Sequence, residues 1–195
     1  MNYRRMYRLY RTVVFPIYWL LYRPQYLHRE RLPEQGPFLV CAPHSSLADP
    51  VFLVFLLGRE RMVRFMAKKE LEKVPLLGAL LRWIGTFWVD RGTADMQAIR
   101  TAMRLLKEGG IVGIFPEGTR VHEEGGGEAK TGVVMLAAHS GVPIVPVYLP
   151  RDKKLFRRVT LVVGEPYRVE KTREGYEAQA EELMRRIQLL KEEIS

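Results

Sequence analysis

Two short segments carry the side-chain types that catalysis and anion binding require. His44 and Asp49 lie five positions apart, and the segment from Phe115 to Arg120 places a carboxylate, a glycine, a hydroxyl and a guanidinium on one turn. An imidazole oriented by a carboxylate can act as a general base. A guanidinium beside the amides of a glycine turn can bind phosphate. Together the segments predict an enzyme that acts on a phosphate-bearing substrate.

The spacing of the histidine and the aspartate restricts how they can meet. On one straight helix the two side chains would point about 140° apart. They can cooperate if His44 lies on the turn before a helix and Asp49 lies in its first turn, with Ser45 or Ser46 as the N-cap. The alternative is structural, because Ser46 to Asp49 also fits a capping box beside an ordinary loop histidine.

The predicted phosphate site centres on Arg120, whose planar guanidinium can bind a phosphate through two hydrogen bonds. Glu117 would orient this guanidinium or an acceptor hydroxyl. Taken singly, each arginine is more often a solvated surface charge than a phosphate ligand. The candidate phosphate-binding residues are Arg91, Glu117, Gly118, Thr119, Arg120 and Lys130.

These residues must be held by the elements around them, which alternate between strand and helix patterns from Pro37 onward. Strands are predicted at Phe38–Ala42, Val63–Ala67, Gly85–Val89, Ile111–Phe115, Ile144–Leu149 and Thr160–Val163. Helices are predicted at Pro50–Leu57, Glu70–Trp83, Asp95–Glu108, Thr131–Ser140 and Gly175–Ile194.

This alternation predicts a single α/β domain with a largely parallel central sheet flanked by helices. In such sheets, functional loops gather at the carboxyl ends of the strands. His44, Arg91 and the segment from Glu117 to Arg120 each follow a predicted strand. We therefore expect them to meet at one edge of the sheet.

The first 31 residues differ in composition from the rest of the chain. They carry seven arginines against one acidic residue, Glu30, within a chain of 195 residues and net charge +9. They also carry eight of the twenty Tyr, Trp and Phe side chains. A segment both basic and aromatic is typical of contact with an anionic interface.

If residues 3–22 are helical, tyrosines lie on one side and arginines on another. This pattern predicts an amphipathic helix at a membrane surface, kinked at Pro16 or divided there into two helices. The apolar run from Val13 to Tyr22 is too short for a span, which needs roughly 20 residues. The alternative is a helix packed on its own domain. The predicted membrane-associating residues are Tyr3, Arg4, Tyr7, Arg8, Tyr10, Arg11, Phe15 and Trp19.

The sequence argues against several other chemistries. Cys41 is the single cysteine, so no internal disulfide or multi-cysteine zinc site can form. It lies in an apolar strand, where a buried, unreactive thiol is expected. The segment before Lys130 lacks both glycines of a nucleotide P-loop. We expect neither a metal nor another cofactor.

At this point the motifs resemble the glycerolipid acyltransferase superfamily. The resemblance rests on His-x4-Asp at 44–49, Gly-x-Phe-x-x-Asp-Arg at 85–91, Phe-Pro-Glu-Gly-Thr-Arg at 115–120 and Val-Pro-Ile-Val-Pro-Val at 142–147. These motifs occur in the family's order and cover roughly residues 37–150. By this resemblance His44 is the base and Asp49 its partner, while Arg91 and the 117–120 loop bind the acceptor's phosphate.

The resemblance also implies a reaction. An acyl thioester, either acyl-CoA or acyl-carrier protein, would acylate the sn-2 hydroxyl of lysophosphatidic acid and give phosphatidic acid. The acceptor could instead be glycerol 3-phosphate or another lysolipid. The expected organisation is a membrane-associating segment at 1–31 and an acyltransferase domain at 32–195, peripheral or monotopic on the cytoplasmic face of the cell membrane.

Net charge alone also permits a non-catalytic module that binds anionic lipid or nucleic acid. Its basic patch would comprise Arg151, Lys153, Lys154, Arg157 and Arg158. This alternative leaves the His44, Asp49 and 115–120 segments without a role, so no nucleic-acid partner is expected.

Overall fold

The computed structural model describes residues 3–58, 61–75, 77–89, 96–123, 130–172 and 175–194. Within them the helices are α1 (Tyr3–Tyr22), α2 (Asp49–Leu56), α3 (Leu77–Trp83), α4 (Met96–Lys107), α5 (Gly132–Ser140) and α6 (Glu177–Leu189). The strands are β1 (Gln25–Leu27), β2 (Phe38–Cys41), β3 (Val63–Lys68), β4 (Phe87–Val89), β5 (Ile111–Ile114), β6 (Ile144–Tyr148) and β7 (Thr160–Val163).

These strands form one sheet in the order β1-β7-β6-β2-β5-β3-β4. Neighbouring strands are parallel except for the antiparallel pair β6 and β7. The predicted α/β class, the parallel sheet and all six predicted strands are confirmed. Parallel strands are covered on both faces and therefore read as continuous apolar runs, which explains why they could be located from sequence.

The sheet separates two hydrophobic cores. Phe38 and Val40 of β2 point into one core, which contains α1 and α2 side chains, while Leu39 and Cys41 point into the other, which contains α4, α5 and α6 side chains. This follows from the alternation of side chains along a strand. The result is a three-layer arrangement with β2 in its centre.

The structure differs from the predicted elements in two helical regions. The predicted helix Glu70–Trp83 is divided into a 3-10 turn at Lys69–Lys73 and the separate helix α3. Pro75 lies between them and cannot donate a backbone hydrogen bond. Conversely, α1 is one helix that continues through Pro16, so the second of the two expected alternatives, a division into two helices, is not found.

Residues expected to form a separate segment before residue 32 contribute to this fold. Strand β1, which the sequence analysis did not predict, pairs in parallel with β7. Tyr7, Tyr10 and Tyr18 of α1 lie in the same core as β2 and α2. Side chains from before and after the expected boundary at residue 31 thus belong to one hydrophobic core. No helix in the described ranges is long and apolar enough to cross a membrane.

Candidate active site

Three loops meet at the carboxyl edge of the central strands. Strand β2 lies between β5 and β6 and is parallel to both, so the residues that follow each strand emerge at the same edge. His44 follows β2, the segment 115–121 follows β5, and the segment 149–153 follows β6. The predicted meeting of the His44 and Glu117 loops is confirmed by direct hydrogen bonds between them.

His44 and Asp49 form the predicted hydrogen-bonded pair. Nδ1 of the imidazole lies 2.8 Å from Oδ2 of Asp49, the first residue of α2. The backbone amides of Ser45 and Ser46 both donate to the same carboxylate oxygen, each at 2.7 Å. Ala48, rather than either serine, occupies the N-cap position. The carboxylate therefore fixes both the imidazole and the turn that carries it.

The other ring nitrogen, Nε2, remains as the position that can take a substrate proton. The imidazole stacks on Phe115, with ring centroids 4.2 Å apart and planes 19° apart. His44 lines a cavity of about 160 Å³ whose wall is largely apolar, with Leu47, Phe65, Leu81 and Ile114 among the lining side chains. A proton acceptor thus lies beside a space suited to an apolar chain.

The Asp49 carboxyl is held in its charged form. Burial by itself would raise its pKa, but the hydrogen bond from His44 and the nearby charge of Lys153 outweigh burial and lower the pKa from 3.8 to about 2. A lowered pKa in the folded state stabilises the fold above the unfolded-state pKa, and this contribution is lost as pH falls through the folded value.

We therefore expect the wild-type protein to lose about 2 kcal/mol of unfolding free energy through Asp49 between pH 4 and pH 2. Urea unfolding of wild type and Asp49→Asn at several pH values measures this. The asparagine variant should lack this part of the pH dependence. If the free energy of unfolding changed with pH by the same amount in both proteins, Asp49 would not be held in its charged form.

Glu117 lies inside the protein and not toward a substrate. Its side chain is 1% exposed and forms a buried ion pair with Arg151, while Oε2 accepts a hydrogen bond from the His44 amide at 2.9 Å. Val121 N donates to His44 O at 2.7 Å, and Arg151 Nη1 donates to Val121 O at the same distance. The Glu117 carboxylate therefore faces Arg151 and the His44 amide, not Arg120, and ties the two loops together.

Gly118 forms the turn at the edge of the cavity. Its φ of +66° lies in the left-handed region that favours glycine, and its amide donates to Phe115 O at 3.0 Å. The side chain of Lys130 passes over it, so a Cβ at this position would lie 3.2 Å from Lys130 Cδ and Cε. Thr119 and Arg120 are exposed on the same loop. Arg91 lies outside the described residues.

The predicted membrane-associating residues divide between the core and the surface. Tyr7, Tyr10 and Arg11 are buried, and the Arg11 guanidinium donates to Val54 O and Gly58 O at the end of α2. They face their own domain and cannot contact a bilayer while α1 is docked. The exposed residues of the predicted set are Arg8, Phe15 and Trp19. The side chains of Tyr3 and Arg4 lie outside the described part.

Two site residues, Arg151 and Lys153, were missed as such. The alternative of a non-catalytic module includes both in a basic surface patch, but both are largely buried and paired with carboxylates of the site. The signal that would have indicated them is their position at the carboxyl end of β6, beside β2. Lys154, Arg157 and Arg158 remain exposed. The described residues contain no group of three His, Cys, Asp or Glu side chains placed to hold a metal.

Comparison with known proteins agrees with this geometry. The sequence profile of the family described as Acyltransferase matches residues 23–150, which include the loops after β2 and β5. The chain belongs to the acyltransferase family. This acyltransferase is 37% identical over 145 residues to the 1-acyl-sn-glycerol-3-phosphate acyltransferase of Bacillus subtilis, an alignment that covers 71% of each chain.

Two further relatives extend the likeness over almost the whole acyltransferase chain. A 1-acyl-sn-glycerol-3-phosphate acyltransferase of Streptococcus pneumoniae is 28% identical over 202 residues, covering 97% of this chain and 75% of the relative. The crystal structure of the 1-acyl-sn-glycerophosphate acyltransferase of Thermotoga maritima matches with a TM-score of 0.70 at 25% identity. That match covers 98% of this chain and 80% of the other, so it includes the described parts of the amino-terminal region.

Proposed function

We propose that this acyltransferase moves a fatty acyl group from an acyl thioester to the sn-2 hydroxyl of 1-acyl-sn-glycerol 3-phosphate, giving phosphatidic acid. The observation that carries the proposal is the His44 and Asp49 pair in the wall of an apolar cavity whose edge is formed by the Gly118 turn. A lysolipid has an apolar chain, a hydroxyl and a phosphate, and this site offers a partner for each. The names of the relatives support the same acceptor.

In the proposed reaction, His44 Nε2 takes the proton of the acceptor hydroxyl as its oxygen attacks the thioester carbonyl. A carbon–oxygen bond forms, the carbon–sulfur bond breaks, and the imidazolium returns the proton to the departing sulfur. Asp49 holds the ring in the required tautomer and stabilises the imidazolium. The charge on the tetrahedral oxygen needs hydrogen-bond donors, and the backbone amides of the loop after β5 are our candidates.

No residue of the protein becomes acylated in this scheme. Cys41 is fully buried, and burial raises the pKa of its thiol. Ser45 Oγ donates to Arg151 O at 3.0 Å and accepts from Lys153, so its hydroxyl is engaged in the interior. Neither side chain is placed to attack a thioester, which leaves direct transfer to the acceptor.

The acceptor's phosphate is proposed to bind at the exposed loop beside the cavity. Arg120 supplies the guanidinium, Lys130 a second cation, and Gly118 and Thr119 backbone amides. Arg91 is retained from the sequence motif. Glu117 contributes indirectly, because its ion pair with Arg151 fixes the loop. This arrangement keeps the one carboxylate of the loop away from a dianionic ligand.

Assays with purified protein test both the acceptor and the donor. Acyl-CoA and acyl-carrier protein would each be supplied with 1-acylglycerol 3-phosphate, glycerol 3-phosphate or a lysolipid without a phosphomonoester, and products identified by mass spectrometry. The proposal expects phosphatidic acid with the first acceptor. Preferential acylation of glycerol 3-phosphate, or equal acylation of the third acceptor, would contradict the proposed substrate.

The phosphate role of Arg120 gives a second expected result. Arg120→Ala should raise the KM for the lysolipid about tenfold or more with a smaller effect on kcat, because one charge-assisted hydrogen-bonding group is lost. Arg185→Ala, which removes an exposed arginine of α6, is the matched control. An unchanged KM in the Arg120 variant would exclude the guanidinium from the phosphate site.

We further propose that the enzyme docks on an anionic membrane through the outward side of α1. Leu9, Val13, Ile17 and Leu20 follow helical spacing on the outward side of α1, and each is more than half exposed. We call these four residues the outer stripe of α1. Contiguous exposed apolar side chains often mark interaction surfaces, and apolar stripes with flanking arginines bind lipid interfaces.

A loop next to the end of α1 extends this surface. Leu155 and Phe156 are exposed, and the Phe156 amide donates to Leu21 O. The exposed cations Lys154, Arg157 and Arg158 follow the same loop and match an anionic headgroup layer. Since both candidate donors are cytoplasmic molecules, the membrane face concerned would be the cytoplasmic one, with the protein peripheral or monotopic.

Vesicle co-sedimentation tests this surface without reference to activity. Val13→Asp combined with Ile17→Asp should lower binding to phosphatidylcholine vesicles containing phosphatidylglycerol at least about tenfold, because both side chains lose their apolar burial. Leu189→Asp, at an exposed leucine of α6, is the control and should bind as wild type. Wild-type binding by the double variant would exclude the outer stripe as the docking surface.

A further inference from the structure

Lys153 is a buried cation at the back of the His44 and Asp49 pair. Its side chain is 4% exposed, and Nζ lies 2.9 Å from Asp49 Oδ1, 2.7 Å from Ser45 Oγ and 2.5 Å from Pro150 O. These three acceptors match the three hydrogens of an ammonium group, and a fourth, Arg151 O, lies farther away at 3.4 Å. Lysine is rarely buried unless paired, so the position of this side chain indicates a specific role.

The contacts of Asp49 divide between its two oxygens. Oδ2 accepts from His44 Nδ1 and from the amides of Ser45 and Ser46, whereas Oδ1 accepts from Ser46 Oγ and Lys153 Nζ. The ammonium group therefore touches the oxygen that the imidazole does not. With donors on both sides, the carboxylate cannot rotate without losing a charged hydrogen bond.

Each of the two carboxylates that hydrogen-bond to His44 has a cationic partner. Asp49 is paired with Lys153, and Glu117, which accepts from the His44 amide, is paired with Arg151. Removing Lys153 would leave an uncompensated carboxylate beside the imidazole. An unpaired neighbouring carboxylate favours the protonated imidazolium, which cannot act as a base. Lys130, over Gly118 at the cavity edge, is the further cation on that side.

We propose that Lys153 is a positioning residue of the acyl transfer, which locks the Asp49 carboxylate behind His44 and offsets its charge. The proposal rests on the proposed function of His44. Lys153 does not itself reach the substrate, because its ammonium group is enclosed and its hydrogens are directed to protein oxygens. It acts on the reaction only through Asp49.

The test compares kcat/KM against pH in wild type, Lys153→Met and Lys153→Arg. In Lys153→Met the acidic limb of the kcat/KM profile should move to higher pH by about one unit. The loss of kcat/KM relative to wild type should therefore be largest at acidic pH and become smaller as pH rises. Lys153→Arg retains the charge and should restore the wild-type limb. Ser45→Ala removes another acceptor of Lys153 without changing charge and should leave the limb in place.

A purely structural role would lower activity equally at every pH, and that result, or an unmoved limb, would overturn the proposal. If Lys153→Met does not fold, Lys153→Gln, which is neutral but can still donate to Asp49, gives the same comparison. An NMR titration of the His44 imidazole in wild type and Lys153→Met tests for the same shift to higher pH in the absence of substrate. That readout decides the inference even if the assays show a different acceptor or no acyl transfer.

Discussion

Replacing His44 by alanine is expected to lower kcat by at least about 100-fold, because the variant has no group that can take the proton of the acceptor hydroxyl. The stacking partner Phe115 and the Asp49 carboxylate remain in place, so the cavity persists and the KM for the lysolipid should change much less than kcat. Steady-state rates measured with saturating donor give both constants.

Two further variants define the cause of this loss. Asp49→Asn should also be strongly impaired, since an amide can donate to Nδ1 and so favour the wrong imidazole tautomer. His139→Ala is the matched control, because His139 is an exposed histidine of α5 whose ring bonds to Met135 O. Near-normal turnover by the His44 variant would remove the imidazole from the mechanism.

Replacing Arg151 by methionine is expected to lower the free energy of unfolding by about 3–5 kcal/mol, the usual cost of leaving one charge of a buried pair without its partner. Both side chains of the Arg151 and Glu117 pair are 1% exposed. The same guanidinium donates to Val121 O, so its loss also releases the loop after β5. Urea unfolding gives the free energy.

The matched control is Arg185→Met, which breaks an exposed pair with Glu182 on α6 and should cost less than about 1 kcal/mol. A double variant, Glu117→Leu with Arg151→Met, should recover part of the stability, because it removes the buried charge that the single variant leaves unpaired. It should not recover activity, since the His44 amide would lose its acceptor. Equal stability of Arg151→Met and Arg185→Met would contradict the structural role of the ion pair.

The sequence located the central strands and the histidine–aspartate pair for the same reason. Buried parallel strands leave continuous apolar runs such as Phe38–Cys41, and polar residues placed just after such runs lie at one edge of the sheet. The spacing of His44 and Asp49 allowed cooperation only across a helix start, and that is where they lie.

The sequence could not show which way Glu117 points. A carboxylate beside Arg120 in the chain suggests a local pair, but its partner Arg151 lies in the loop after β6, 34 residues away. The sequence also could not show that Lys153 is buried. A cluster of cations after a strand suggests exposed charges unless a carboxylate from a neighbouring loop is known to lie beside it. Pairings between loops depend on strand order, which composition does not encode.

The orientation of α1 was ambiguous for another reason. Both sides of this helix carry large apolar side chains, tyrosines on one and aliphatic residues on the other, so the pattern alone cannot tell which side is buried. An arginine usually indicates the exposed side of a helix, but the Arg11 guanidinium lies against the end of α2. The short strand β1 has three residues and no distinct pattern, and its pairing with β7 required the fold.

In the proposed reaction His44 acts as a base for direct transfer, with no nucleophile supplied by the protein. Intact-protein mass spectrometry after incubation with acyl thioester alone tests this most directly, with Ser45, Ser46 and Cys41 as the side chains to be watched. The predicted result is an unmodified protein mass, with release of the thiol and formation of the ester only after lysolipid is added. A protein adduct of one acyl group that disappears on adding lysolipid would contradict the account.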